Sequence, residues 1–267
     1  MLAQTYPHWE LIVVDDGSSD QTHEYLSQID DPRVCKLRTD GVGVAAARNL
    51  ALKQCRGEYI TFLDADDVLP SIALEARVNH FRMNPDVDIV DGIIDSKDEI
   101  LSVTLRRYEP YFNGYLLSKL VRLDDQVFFG VVYMIRRCCI IDGRFREDLS
   151  HSEDLDFYTR MAHEHNLRYS FVPVLVYIYR VHSGSASRNL HGLLKGYIEY
   201  LDGLRFLSKV SYLDFVICWI KILKILILLV VRRRDAQLFY LFTGPLVNAH
   251  VRWVLSRLRF MVIGVGR

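Results

Sequence analysis

Tyr59-Ile60-Thr61-Phe62-Leu63-Asp64-Ala65-Asp66-Asp67 is a short, β-prone apolar run that stops on a cluster of carboxylates. An earlier stretch does the same: Glu10-Leu11-Ile12-Val13-Val14-Asp15 runs into the turn cluster Asp16-Gly17-Ser18-Ser19-Asp20. The nearly continuous apolar Leu11 to Val14 is the pattern of a strand covered on both faces, as in a parallel sheet. Working outward, a helix is expected from the turn through Ile29 and a second strand over Val34 to Leu37. An alanine-rich helix over Val42 to Cys55 then leads into the strand Tyr59 to Leu63. Pro70 suits the first turn of a helix running to Asn84, and Val87 to Val90 reads as the next strand. Strands alternating with helices at this spacing predict an α/β fold, a Rossmann-like, mostly parallel open sheet flanked by helices.

The middle of the chain is less regular. From Ile93 to Asp125 only a helix near Tyr115 to Val121 is legible, followed by a strand over Val127 to Ile135. Glu153 to His165 reads as an amphipathic helix, and Tyr169 to Tyr179 as one or two strands interrupted at Pro173. Among the 267 residues, 33 basic side chains balance 33 acidic ones and half the residues are apolar. That balance describes a folded globular protein and excludes a nucleic-acid-coating or disordered one. The five cysteines, Cys35, Cys55, Cys138, Cys139 and Cys218, lack metal-site spacing and are expected to be reduced thiols of a cytoplasmic protein. The first residues have neither the basic start nor the apolar stretch of an export signal.

In open α/β sheets, ligands bind beyond the carboxyl ends of the strands, which brings Asp15, Asp16, Asp64, Asp66 and Asp67 to one edge. Asp64 and Asp66 alternate along extended backbone, so both carboxylates point to one side. Hard oxygen ligands of this kind suit Mg2+ or Mn2+ held together with substrate phosphates. Capping of the following helix by Asp66 and Asp67 is the competing account. Asp15 and Asp16 could accept hydrogen bonds from a nucleobase or ribose, or simply form a turn. Asp154, beside Glu153 at a helix start, is expected to be ionised and able to take a proton from an acceptor hydroxyl, although charge complementarity with the helix dipole explains the same pair. Arg180 and His182 precede a small-residue loop, Ser183-Gly184-Ser185-Ala186-Ser187, which could close over a phosphate or be an ordinary exposed turn.

Taken together, the blocks Glu10 to Thr22 (ELIVVDDGSSDQT), Gly43 to Asn49 (GVAAARN), Gly57 to Asp67 (GEYITFLDADD), Glu153-Asp154 and the Arg180/His182 loop resemble, in order and spacing, the family 2 glycosyltransferases of the GT-A fold. The resemblance covers about Met1 to Ser187. It implies an inverting, metal-dependent transfer of a sugar from a nucleotide-diphosphate donor to an acceptor hydroxyl, in surface polysaccharide or glycolipid synthesis. It implies Asp15, Asp16, Arg48, Asp64 and Arg180 around the nucleotide sugar, Asp66 of the DXD motif and His182 at Mg2+ or Mn2+, and Asp154 as general base. The acceptor would be a glycan or a lipid-linked sugar, with no role for nucleic acid. Family members usually begin with an extra strand that is absent from this sequence, which is expected to be either a truncated enzyme or, as a second reading, a noncatalytic nucleotide-sugar-binding or scaffolding relative. A nucleotidyltransferase would need a glycine-rich basic phosphate loop, and none is visible.

The expected division is a catalytic domain over 1–190 and a helical, basic and apolar region over 191–267. Phe215 to Val231 is interrupted by Lys221 and Lys224 and ends in Arg232-Arg233-Arg234, a poor bilayer span. With Trp219, Arg252, Trp253, Arg257 and Arg259 it suits peripheral contact through 215–260 with the cytoplasmic face of a membrane. A helical appendage packed on the catalytic domain is the alternative.

Overall fold

The structure is a computed structural model that describes residues 1–140, 143–149, 151–185 and 189–233. Its first part alternates as expected: β1 (Leu11–Asp16), α1 (Thr22–Ser27), β2 (Val34–Thr39), α2 (Val44–Gln54), β3 (Tyr59–Thr61), α3 (Ala73–Met83) and β4 (Ile89–Lys97). There follow β5 (Thr104–Tyr108), β6 (Gly114–Tyr115), α4 (Leu117–Val121), β7 (Met134–Arg136), α5 (Glu153–His165), β8 (Arg168–Arg180), α6 (Leu190–Leu204) and α7 (Tyr212–Arg233). The α/β class and its layers are those expected. The strand directions are more mixed. β1 pairs with β2 in parallel, from Leu11 opposite Val34 to Asp16 opposite Thr39. A second sheet has the order β3-β7-β4-β8-β6, with β5 on β4, and only its β4/β8 pair is parallel. The irregular middle is the reason: it returns short strands to the sheet in the opposite direction, β7 between β3 and β4, and β6 at the far edge.

β1 and β3 do not pair with each other among the described residues. Their starts are nonetheless tied, because Glu10 Oε1 accepts from the amides of Arg56 and Gly57 at 2.6 and 2.7 Å. Leu11 to Val14, expected to be covered on both faces, are only half-buried. That is the physical consequence of a parallel strand paired along one edge.

Three other expectations are corrected. Of Val127 to Ile135 only the end is strand; Val127, Val131, Val132 and Tyr133 are buried in irregular backbone, filling the core instead. β8 is one strand through Pro173, since the register to β4 skips from Val172 opposite Gly92 to Leu175 opposite Ile93 and so absorbs the imino acid in a bulge. A Cβ on Gly92 would lie 2.7 Å from a Val176 methyl and 2.8 Å from the Val174 carbonyl, so the bulge requires glycine there. Finally, α3 starts at Ala73, whose amide bonds the Pro70 carbonyl, and the side chain that accepts from its first turn is Gln4, whose Oε1 takes the Leu74 amide at 3.2 Å. Asp66 and Asp67 lie in the loop well before it and are not its caps.

One buried cluster runs from Ile60, Phe62 and Val90 through Tyr133, Phe157 and Tyr177 to Leu201 of α6 and Phe215, Cys218 and Ile222 of α7. α6 and the first half of α7 therefore share the core of the preceding elements. Lys221 donates to the Leu123 carbonyl at 3.1 Å, and Arg122 pairs with Asp214. No helix among the described residues is long and apolar enough to cross a membrane. Residues 234–267, with Arg234, Arg252, Trp253, Arg257 and Arg259, lie outside the described residues. Cys35, Cys55, Cys138, Cys139 and Cys218 are all free thiols, as expected.

Candidate active site

The carboxyl end of β1 is a structural turn. Asp15 is almost fully buried and accepts from the Ser18 amide at 2.9 Å and from Arg38 at 2.8 Å. The bonds from Ser18 hold its carboxyl below the ordinary carboxylate value. Asp16 reaches across to the loop before α2, accepting from the Thr39 hydroxyl at 2.6 Å and from the Val42 and Gly43 amides at 2.7 and 2.8 Å. Those donors, Thr39 first, keep Asp16 ionised. Gly43, at φ +91°, precedes α2 in a conformation open to glycine. Asp16 thus fixes where α2 begins, and with it the position of Arg48.

Arg48 joins two loops. Its Nη2 donates to Asp64 Oδ1 at 2.7 Å, just beyond β3, and its Nη1 to Glu153 Oε1 at 2.8 Å, at the start of α5. Burial works against the guanidinium charge, but Asp64 and Glu153 outweigh it and its pKa rises. The next residue, Asn49, is buried and clasps the loop before α5: its Nδ2 donates to the Phe145 carbonyl at 2.9 Å and the Phe145 amide returns a bond to its Oδ1 at 2.7 Å. α2 therefore positions the start of α5 twice. α5 is entered through Ser152 in the left-handed region (φ 61°), a strained turn that sets Glu153 and Asp154 on the first helical residues. Asp154 is half-buried, and its pKa is pushed up to about 6 by burial and by Glu153, against the pull of Arg48. The expectation that the helix start alone keeps it ionised understated these opposing effects; it is ionised above about pH 6.

The β3 loop meets the end of β8. His182 Nε2 and Asp66 Oδ2 are 2.7 Å apart. Arg180 Nε donates to the Asp66 carbonyl at 2.7 Å and its Nη1 to the Glu99 carbonyl at 2.9 Å. Both of those bonds of Arg180 are to backbone carbonyls, and no ion pair of Arg180 is seen among the described residues. Asp67 is buried and accepts from the Arg180 amide at 2.8 Å and the Tyr177 hydroxyl at 2.7 Å. Burial nonetheless raises its pKa to about 6. The Asp64 amide donates to the same Tyr177 hydroxyl at 3.4 Å. Asp67 and Tyr177 are thus the clasp between the β3 loop and β8.

A divalent ion fits the Asp66/His182 pair: an oxygen and a nitrogen donor already lie within one ligand separation, and both side chains are partly exposed, 45% and 26%. Among the described residues there is no group of three or more such ligands, so the remaining positions would fall to phosphate oxygens and water. The structure brings Asp64, Arg48, Glu153 and Asp154 together on one side and Asp66, Arg180 and His182 on the other, joined through the single loop 64–67. Asp15 and Asp16 are placed in the turns at the end of β1 and before α2, which they anchor. Sequence reasoning placed Asp67 at the ligand edge and Glu153 beside Asp154 without giving either the partner it has here, and it missed Asn49 and Tyr177 as working residues. Glu153 and Asn49 stand next to Asp154 and Arg48, which was the available signal; Tyr177 had none, being one tyrosine in an apolar strand.

Residues 1–144 match the family described as Glycosyl transferase family 2. The chain is 41% identical over 85 residues, 32% of its length and 34% of the relative's, to the UDP-Glc:alpha-D-GlcNAc-diphosphoundecaprenol beta-1,3-glucosyltransferase WfgD of Escherichia coli. It is 27% identical over 215 residues, 79% of its length and 66% of the relative's, to the uncharacterized glycosyltransferase RP339 of Rickettsia prowazekii. It spans less than two thirds of either relative. Among solved structures, Staphylococcus aureus TarS in complex with UDP-GlcNAc aligns with TM-score 0.62 and 20% identity over 81% of this chain and 64% of that one. The mannosyltransferase PcManGT of Pyrobaculum calidifontis, with GDP-Man and Mn2+, aligns with TM-score 0.58 and 20% identity over 81% and 61%. These likenesses establish the GT-A fold. The match over more than half of the sequence, with its carboxylate loops converging on Arg48, makes this chain a member of glycosyl transferase family 2.

Proposed function

We propose that this protein is a metal-dependent, inverting glycosyltransferase that moves a sugar from a nucleotide-diphosphate donor to a hydroxyl of a lipid-linked glycan acceptor. The observation that carries the reading is the double ion pair of Arg48, which ties the loop bearing Asp64 to the start of the helix bearing Asp154. The names of WfgD and of the two solved neighbours support a nucleoside-diphosphate sugar as donor, and that of WfgD supports a sugar on a lipid diphosphate as acceptor.

In this reading Asp64 and Asp16 line the nucleotide side, with Asp15 bracing the turn and Arg48 holding Asp64 in place. Asp66 and His182 would hold Mg2+ or Mn2+, which when bound neutralises charge on a departing diphosphate. Arg180 supplies a second positive charge to the same oxygens. Asp154, half-buried and ionised near neutral pH, takes the proton of the attacking hydroxyl as that oxygen bonds the anomeric carbon and the nucleoside diphosphate leaves from the opposite face. A base whose pKa lies near the working pH combines the right protonation state with useful basicity. Attack opposite the leaving group inverts the anomeric configuration.

The test is incubation of the protein with Mn2+ and a panel of UDP-, GDP- and dTDP-sugars with a lipid-diphosphate sugar acceptor, following nucleoside diphosphate release and the anomeric configuration of the product by NMR. Release from at least one donor, abolished in Asp154→Asn, is expected. No release or binding with any donor would overturn the reading in favour of the noncatalytic relative.

A further inference from the structure

Glycine is the poorest helix former after proline, yet α6 carries Gly192 and Gly196 one turn apart on the same face. Both have a packing reason. A Cβ on Gly192 would stand 2.1 Å from Cε1 and 2.4 Å from Nε2 of His151, so that ring lies directly on the helix backbone. A Cβ on Gly196 would stand 2.5 Å from the His151 carbonyl oxygen, a backbone atom that no change of rotamer moves away. The face is a seat for one residue, both its side chain and its main chain.

His151 immediately precedes the turn into α5. Ser152 holds φ 61°, a left-handed conformation that a serine adopts at a cost, and its buried hydroxyl has no hydrogen-bond partner among the described residues. Its carbonyl accepts from the Asp156 amide at 3.0 Å, which fixes the helix side of the turn; the seat of His151 on α6 fixes the other side. Asp154 stands two residues beyond Ser152. The two helices are bonded again further along, where the Thr159 and Tyr200 hydroxyls are 2.9 Å apart. α6 also comes within electrostatic reach of Asp154: burial first and the Asp154 charge second push the Tyr197 hydroxyl up.

We propose that Gly192 and Gly196 are positioning residues for sugar transfer: the glycine face of α6 seats His151 and, through the Ser152 turn, sets where the Asp154 carboxyl stands relative to Arg48. The proposal rests on the reading of Asp154 as the base. The helical region after residue 190 then belongs, through α6, to the framework of the reaction.

Four variants of the full chain test it: Gly196→Ala, Gly192→Ala, His151→Ala, and Gly192→Ala combined with His151→Ala. Gly196→Ala is expected to lose at least about tenfold in kcat per folded molecule, with the calorimetric Kd for the nucleotide sugar near that of the unsubstituted protein. Gly192→Ala loses less, and nothing further once the His151 ring is gone. A second readout needs no turnover: titration of the Asp154 carboxyl by 13C NMR, its signal identified by its absence from Asp154→Asn. That carboxyl faces Glu153, Arg48, Asp64, Tyr133, Tyr158 and Tyr197, all unchanged in these variants, and burial is the largest influence on it. Moving the turn off α6 admits water, so the midpoint, about 6 in the unsubstituted protein, is expected to fall toward the ordinary 3.8 in Gly196→Ala. An unchanged midpoint would overturn the proposal, as would an unchanged kcat per folded molecule in an active enzyme, or a loss in Gly192→Ala that is the same with and without the His151 ring. If Gly196→Ala does not fold, the same two readouts on the Gly192 and His151 variants decide. A shifted midpoint in a protein that transfers sugar from no donor would fail the enzyme reading alone.

Discussion

Asp154 is the residue whose surroundings say most about chemistry. Its pKa, raised to about 6 by burial first and Glu153 second, places the transition from protonated acid to usable base just below neutrality. With Asp154 as the base proposed above, the rate of sugar transfer should rise with pH through about 6, because only the ionised carboxylate can take a proton. Glu153→Gln removes the neighbouring negative charge and should move that acid limb to lower pH; Arg48→Gln removes the compensating positive charge and should move it higher. A pH profile of kcat in both variants checks the two directions. Asp154→Asn should lower kcat by about 10²–10⁴ while leaving nucleotide binding, read by calorimetry, near that of the unsubstituted protein. Arg48→Gln also leaves Asp64 and Glu153 unpaired, and a cost of roughly 3–5 kcal/mol in urea denaturation is expected. At the other side of the cleft, His182→Ala should raise the Mn2+ concentration for half-maximal activity by roughly 10- to 100-fold, the range seen when support of a metal site is lost.

Among the elements, β8 does the most to bring the site together. It passes through Pro173 by bulging, runs beside β4, and delivers Tyr177, Arg180 and then His182 to the loop after β3. The bulge lies against Gly92, where even a methyl group would meet Val176 and the Val174 carbonyl well inside contact distance. Gly92→Ala should accordingly destabilise the protein by about 1–3 kcal/mol, measured as a lowered denaturation midpoint, with loss of activity following loss of fold. Tyr177→Phe is milder. It removes one hydrogen bond to Asp67, about 1 kcal/mol, and leaves a buried carboxylate oxygen without its donor. α2 plays the complementary part, with Arg48 and Asn49 gripping both neighbouring loops.

For the whole molecule, the polar centre of the core is the telling feature. Arg77 is fully buried, bonded to the Ala73 and Val132 carbonyls, and Asp91 is equally buried with only the Gly92 amide on one oxygen. Burial pushes Asp91 up to about 7 from an ordinary 3.8, with Gly92 and Arg77 opposing. Between those values the folded chain holds a proton that the unfolded chain has released. Stability should therefore fall as pH rises from about 4 through about 7 and level off above. Asp91→Asn, neutral throughout, should flatten that slope, which urea midpoints at pH 5 and pH 8 would reveal.

What the sequence determined is the part governed by local pattern. Leu11 to Val14 and Tyr59 to Thr61 are strands because short β-prone apolar runs bounded by turns have few other uses, and Glu153–His165 is a helix with its predicted bounds because its apolar face has the helical period. The carboxylates after those runs were legible as candidates because the carboxyl ends of the strands form the ligand edge, although β3, expected to reach Leu63, stops at Thr61 and β1 runs on through Asp16. The tertiary structure decided the rest. Strand direction in the irregular middle depends on which edge is free to pair, and no local pattern encodes that. Pairing partners such as Arg48 with Glu153, or Tyr177 with Asp67, join residues about a hundred positions apart, and only the packed fold gives their distance. The pKa of Asp154 likewise belongs to the fold, since burial and the opposed charges of Glu153 and Arg48 exist only once α2 and α5 have met.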